Sequence, residues 1–163
     1  MGNVVVGVMG PGETAADEEM HTAYDLGKLI AQRGWILLTG GRNCGVMNAA
    51  GQGAKAADGT VVGILPGADT GEMSDSVDIP IVTGMLDARN SINVLSCRIL
   101  FFVGMNPGTA SELALAVKYG KPAILVAQKV NLARIFQSGS FKDIYFSEDV
   151  LSAVRIADTF IEI

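Results

Sequence analysis

Apolar residues in this chain fall into short blocks, several of them closed by glycine, and between the blocks they recur at helical spacing. Residues 3–9 (NVVVGVM) are β-branched and nearly all apolar, as a parallel strand buried on both faces requires. Gly10-Pro11-Gly12 ends that strand. Thr14-Ala15-Ala16-Asp17 has the form of a capping box and predicts a helix to about Arg33, stopped by Gly34. Glu18, His21, Asp25, Lys28 and Gln32 share one face of it, and Met20, Ala23, Tyr24, Gly27 and Ile30 another. His21 is therefore expected in solvent. Residues 35–38 predict a second strand. After it Val46, Ala49, Ala50, Gly53, Ala54 and Ala57 mark a helix with a small face, able to lie close on a sheet. Asp58-Gly59 ends that helix, and residues 60–65 (TVVGIL) predict a third strand.

Residues 66–80 break the rhythm and read as a solvated acidic loop carrying Asp69, Glu72, Asp75 and Asp78, whose spacing does not fit an EF-hand. Residues 79–82 add a short extended piece. Asp87 is the expected N-cap of a helix to about Ser96, and residues 99–103 (ILFFV) predict the next strand. The helix after residues 104–109 closes at Gly120, and residues 123–127 form another strand. A short helix over 132–137, an edge strand over 144–146, and a last helix capped by Ser147 complete the chain. That helix turns Val150, Leu151, Val154 and Ala157 inward. Strand–helix alternation with short connections predicts an α/β fold: one Rossmann-like domain over 1–163, a doubly wound parallel sheet with helices on both faces. Right-handed crossovers set the first three strands in the order 3-2-1.

In such a sheet ligands bind beyond the carboxyl ends of the strands, where the strand order reverses. That point lies between the first strand and the strand at 99–103. Three glycine-bearing turns converge on it: Gly10-Pro11-Gly12; Thr39-Gly40-Gly41-Arg42-Asn43-Cys44-Gly45-Val46-Met47; and Gly104-Met105-Asn106-Pro107-Gly108-Thr109. Such turns offer backbone N–H groups and helix N-termini to an anion. Arg42 and Arg89 reach the same crevice, and arginine is the usual bidentate partner of phosphate. The expected ligand is small and phosphate-bearing. Gly7-x-x-Gly10-x-Gly12 lacks dinucleotide spacing, and Thr39 stands where an acid would close the second strand, so NAD fits poorly. Thr109 and Glu112 share the first turn of their helix, a pairing that a capping box accounts for. A functional reading puts the N–H groups of Gly108 and Thr109, with the Thr109 hydroxyl, on the phosphate. Glu112 is then left for a ligand hydroxyl or amine, or for acid–base work.

Composition narrows the picture. The chain has 163 residues, enough for one domain with a sizeable core, and it is 49% hydrophobic with 18% charged residues. The net charge is −5 and Lys and Arg form no run, so nucleic acid is not an expected partner. No apolar run has membrane-spanning length. The start, Met1-Gly2-Asn3, has no basic region, which sets a cytoplasmic expectation. A single histidine and two unclustered cysteines give no basis for a metal site.

The Gly-Gly-x-x-x-Gly-Val-Met turn at 40–47, the Val-Val-Gly-Ile-Leu-Pro strand end, the helix bearing Arg89, and Gly-Thr-x-x-Glu at 108–112 resemble the LOG-type, lysine decarboxylase-like Rossmann family. The likeness covers about residues 3–127. It implies, as one activity, phosphoribohydrolysis of nucleoside 5′-monophosphates, with Arg89 and Glu112 at the catalytic positions. Gly104-Met105-Asn106 replaces the family's Pro-Gly-Gly, and Asn90 replaces its lysine. The chain is closer to the molybdenum cofactor carrier branch. That likeness rests on Val-Met-Gly-Pro-Gly at 8–12, Trp-Ile-Leu-Leu-Thr-Gly-Gly-Arg at 35–42, Asp-Ile-Pro-Ile-Val-Thr-Gly at 78–84, and Gly-Met-x-Pro-Gly-Thr-Ala at 104–110. It implies a homotetramer that binds and protects molybdopterin-based cofactor without chemistry, exchanging it with donor and acceptor enzymes. The pterin would offer N–H groups to Glu112 or Asn106.

Overall fold

In the computed structural model, which describes residues 3–127 and 141–161, the apolar blocks are strands of one sheet. They are β1 (Val5–Met9), β2 (Ile36–Thr39), β3 (Val61–Leu65), β4 (Ile79–Val82), β5 (Ile99–Val103), β6 (Ala123–Val126) and β7 (Ile144–Ser147). All pairings are parallel, in the order β4-β3-β2-β1-β5-β6-β7. The order reverses between β1 and β5, as expected. β5 shows why its residues are all apolar. Ile99, Phe101 and Val103 enter one core and Leu100 and Phe102 the other, because successive side chains leave a strand on opposite faces.

The helices are α1 (Asp17–Gln32), α2 (Gly45–Lys55), α3 (Asn90–Ser96), α4 (Pro107–Lys118) and α5 (Val150–Ile161). α1, α2 and α5 cover one face through residues such as Leu26, Ile30, Ala50 and Val154. α3 and α4 cover the other through Val94, Leu113 and Ala116. The reversal of strand order thus also moves the helices across the sheet.

The small face of α2 packs against α1 as much as against the sheet. A Cβ at Gly27 would overlap the Ala50 carbonyl oxygen and lie 2.8 Å from its carbon; one at Gly53 would lie 2.7 Å from the Tyr24 carbonyl carbon. The two helices therefore touch backbone to backbone. Tyr24 does not turn inward but is 37% exposed, and Leu26 takes the buried place. Leu151 is likewise exposed, with Ala153 buried instead. α1 is capped at Ala16, not Thr14: with no side-chain oxygen there, the Glu19 carboxylate accepts the Ala16 N–H at 2.9 Å. Asp87 lies inside a 3₁₀ turn (Leu86–Arg89) that leads into α3 and does not cap it. His21 is exposed, donating from Nδ1 to the Asp17 carbonyl at 2.8 Å.

The acidic loop is tied down more than its charge suggests. Ser74 donates from its backbone N–H to the Gly41 carbonyl (2.9 Å), and Asn43 donates to that of Glu72 (2.8 Å). The Ser74 and Ser76 hydroxyls are buried and bonded to each other and, from Ser74, to Asn48. Asp78 pairs with Lys55 at 2.7 Å and accepts the Val61 N–H at 2.8 Å, so it anchors the start of β3. Residues 79–82 are a full parallel edge strand. The short helix expected over 132–137 lies outside the described residues.

Candidate functional site

A cleft opens at the carboxyl ends of β1, β2 and β5, with an open volume of about 620 Å³, its solvent mouth included. Of the residues expected there, Gly10, Gly12, Gly40, Arg42, Met47, Arg89, Asn90, Asn106, Gly108, Thr109 and Glu112 line it. Gly10 permits the close approach of β1 to β5: a Cβ there would overlap the Val103 carbonyl oxygen and lie 2.7 Å from Val46 Cγ1.

The other expected residues shape the walls without lining the cleft. Thr39 is 1% exposed, and its hydroxyl accepts the Gly41 N–H at 3.0 Å, locking the turn after β2. Gly41, Gly45 and Gly104 hold left-handed backbone, with φ of 76°, 52° and 71°. Val46 is fully buried in one core, and Met105 packs on the opposite one. Asn43 faces a neighbouring depression with Cys44 and Glu72.

The turns do not offer their N–H groups as freely as the sequence suggested. Besides Gly41 and Asn43, Val46 donates to the Pro11 carbonyl at 3.0 Å. At α4 the N-cap is Asn106, whose Oδ1 accepts both the Thr109 N–H (2.8 Å) and the Thr109 hydroxyl (2.9 Å). The capping box expected between Thr109 and Glu112 is thus replaced by an Asn cap one turn earlier, and the Thr109 donors are already engaged. Asn90 donates to Ser111 Oγ at 2.8 Å, joining α3 to α4 across the cleft wall.

The two arginines differ. Arg42 is gripped by carboxylates, with Nη2 2.5 Å from Glu13 and Nε 3.1 Å from Glu72. The Glu13 hydrogen bond holds its pKa above the usual arginine value. Arg89 is partly buried, and its Nη1 donates to the carbonyls of Gly40 (2.8 Å) and Ile64, at the ends of β2 and β3. Burial lowers its pKa, opposed by the Glu112 charge, and its Nε is buried with no partner among the described residues. Glu112 is 8% exposed and accepts from Asn93 Nδ2 at 2.8 Å. Burial pushes its pKa up to about 7, against the Asn93 hydrogen bond and the Arg89 charge.

Sequence reasoning missed Val8, Met9, Glu13 and Asp87 in the lining, and Asn93 behind it. Glu13 directly follows the first glycine turn, a position that could have flagged it. Asn93 gave no signal beyond its place one helical turn after Arg89.

A parallel sheet with such a cleft at its point of reversal defines a Rossmann-like ligand-binding protein. More narrowly, the SLOG cluster4 family model matches residues 3–154, and the chain belongs to that family. It is similar to the solved molybdenum cofactor binding protein of Rippkaea orientalis, at 45% identity and a TM-score of 0.95 over 99% of both chains. It is also similar to the molybdenum cofactor carrier protein of Chlamydomonas reinhardtii, at 46% identity and a TM-score of 0.92 over 99% of both chains. An uncharacterized protein of Archaeoglobus fulgidus is 47% identical over 117 residues, 71% of this chain and 75% of that one. The resemblance to the carrier branch therefore holds across nearly the whole length, beyond the loops that first suggested it. No helix among the described residues is long and apolar enough to cross a membrane.

Proposed function

We propose that this chain binds molybdenum cofactor in the cleft between β1 and β5, protects it from breakdown and carries it without chemistry of its own. The observation that carries this reading is the likeness, at 45% and 46% identity over 99% of the chain, to proteins described as binding or carrying that cofactor. The lining is compatible with the cargo. The cofactor joins a phosphate to a pterin with ring N–H donors. Arg42 and the Gly108 N–H at the start of α4 suit the phosphate, Glu112 suits the donors, and Met47 offers apolar contact to a ring face. The unpartnered Arg89 Nε is a donor available to a ligand oxygen or ordered water.

The same reading includes a homo-oligomer, a tetramer by resemblance, acting in the cytoplasm between enzymes that supply and receive the cofactor. The outer edge of β4 supports an assembly: Ile79, Ile81 and Val82 are 49%, 43% and 43% exposed, and Leu86, four residues past the strand, is 70% exposed. Light scattering on the purified protein tests the copy number. Cys44 and Cys97 are free thiols, as a reducing compartment keeps them.

Mixing the purified protein with freshly released cofactor tests the central claim. Co-elution and slowed decay are expected; no co-elution together with unchanged decay overturns it. A second reading has one observation behind it. Glu112, titrating near 7 in the same cleft as Arg89, suits acid catalysis on the N-glycosidic bond of a nucleoside 5′-monophosphate. Base release that Glu112→Gln abolishes would establish it, and no release from any common nucleotide removes it.

A further inference from the structure

Two buried polar side chains meet at the wall of the cleft. Asn93, on α3, has no exposed surface, and Glu112, on α4, is 8% exposed. Packing of α3 and α4 on one sheet face brings Asn93 Nδ2 to 2.8 Å from Glu112 Oε1. Asn93 Oδ1 is buried and has no partner among the described residues. Buried polar atoms are rarely left so, and an apolar side chain of similar size would fill this position with no orphan atom. The donor end of the amide is therefore what the position needs. Asn106 cannot take over the role of Glu112, since its Oδ1 is occupied by Thr109.

We propose that Asn93 is a positioning residue, whose amide holds the Glu112 carboxylate as the acceptor that reads paired N–H donors on a heterocyclic ligand; this rests on the cofactor-binding role above. A carboxylate is an acceptor only, so the ionised form selects donors on the ligand. A reversed Asn93 amide would set Oδ1 against Glu112 Oε1, a contact that needs a proton between them. The observed orientation thus serves the ionised acid and the reverse one the protonated acid. The charged and titratable groups facing Glu112 are Arg89 and Asp87 from the 3₁₀ turn, Arg42 from the turn after β2, Glu13 from the turn after β1, and the Cys97 thiol after α3. Cys97 is pushed up to about 12 by burial, so it stays neutral across the range in question.

The test is a fluorescence titration from acid to mildly alkaline pH with neopterin monophosphate, beside a lumazine that carries the same phosphorylated side chain but no 2-amino group. Wild-type affinity for the pterin should fall about tenfold for each pH unit below the Glu112 titration, which lies at about 7. Asn93→Leu should move the midpoint to higher pH by about one unit and weaken binding at neutral pH by up to about tenfold. Glu112→Gln should remove the titration near 7, leaving only the fall set by the ligand phosphate, whose second pKa is about 6, and should remove the preference for pterin over lumazine. Coincident profiles for wild type and Asn93→Leu overturn the proposal. Should Asn93→Leu not fold, a wild-type profile that coincides with that of Glu112→Gln, or a preference that survives in Glu112→Gln, overturns it. So does cofactor binding without pterin binding. Failure of the parent reading looks different, because wild-type protein would then neither retain nor protect the cofactor at any pH.

Discussion

Replacing Gly27 by alanine tests the claim that α1 and α2 touch backbone to backbone. The new Cβ would lie 2.8 Å and 3.1 Å from the carbonyl carbon and Cα of Ala50. Carbon atoms pack best at about 3.5–4.0 Å, so the helices must separate by roughly 1 Å. Overpacking costs about 1–3 kcal/mol, and a backbone neighbour that cannot rotate away points to the upper end. Alanine returns about 1 kcal/mol of helix propensity. The net loss is then ~2 kcal/mol, a fall in Tm of roughly 4–8 °C for a chain of this size. Differential scanning calorimetry measures it, with the exposed neighbour Lys28→Ala as a control expected to stay within about 0.5 kcal/mol. The same separation spreads the turns that precede α1 and α2, so ligand affinity should fall with Tm. A Gly27→Ala variant as stable as wild type, or more so, refutes the packing argument.

Asn106→Ala removes the acceptor of both the Thr109 N–H and the Thr109 hydroxyl, and should cost about 1 kcal/mol in chemical denaturation, whereas Asn106→Asp keeps most of the stability. Glu13→Gln weakens the main grip on Arg42, so inorganic phosphate, followed by calorimetry at low salt, should bind more tightly; unchanged affinity would show that Glu13 does not compete for the guanidinium. The raised pKa of Glu112 gives a signed pH effect. Its folded value, about 7, exceeds the ordinary 4.5, so its contribution is fully present below pH 4.5 and is lost as pH rises through 7. The stability of wild type relative to Glu112→Gln should therefore decline by ~3 kcal/mol across that window, and a difference independent of pH would refute it. Arg89→Lys should fail to restore the paired contacts to Gly40 and Ile64 and should lower Tm, because an ammonium is a point charge on a flexible stem.

Much of the fold was legible because each central strand is an apolar run, closed by glycine at β1, β2 and β5, and the periodicity between the runs is helical. β4 was harder to read: Ile79-Pro80-Ile81-Val82 is short, holds a proline, and its side chains are exposed. Tyr24 and Leu151 were misplaced because helical spacing locates a stripe but not its edges. Within the site, the glycine turns and arginines announced themselves by residue type. Their partners did not. Glu13 and Glu72 meet Arg42 from loops 29 and 30 residues away in the chain. Asn93 reaches Glu112 across 19 residues, and burial of a polar side chain leaves no periodic mark.

Arg89 has a kinetic consequence. Its guanidinium is tethered to the carbonyls of Gly40 and Ile64, the ends of two strands, so folding already immobilises it. A cation that must be recruited from solvent adds an ordering step after encounter, costing about 0.5–1.5 kcal/mol for a rotamer-rich side chain. A tethered one does not. Ligand capture should then follow a single exponential whose rate rises linearly with ligand concentration, with no plateau from a slower rearrangement. Differences in affinity among ligands would appear in how long each stays.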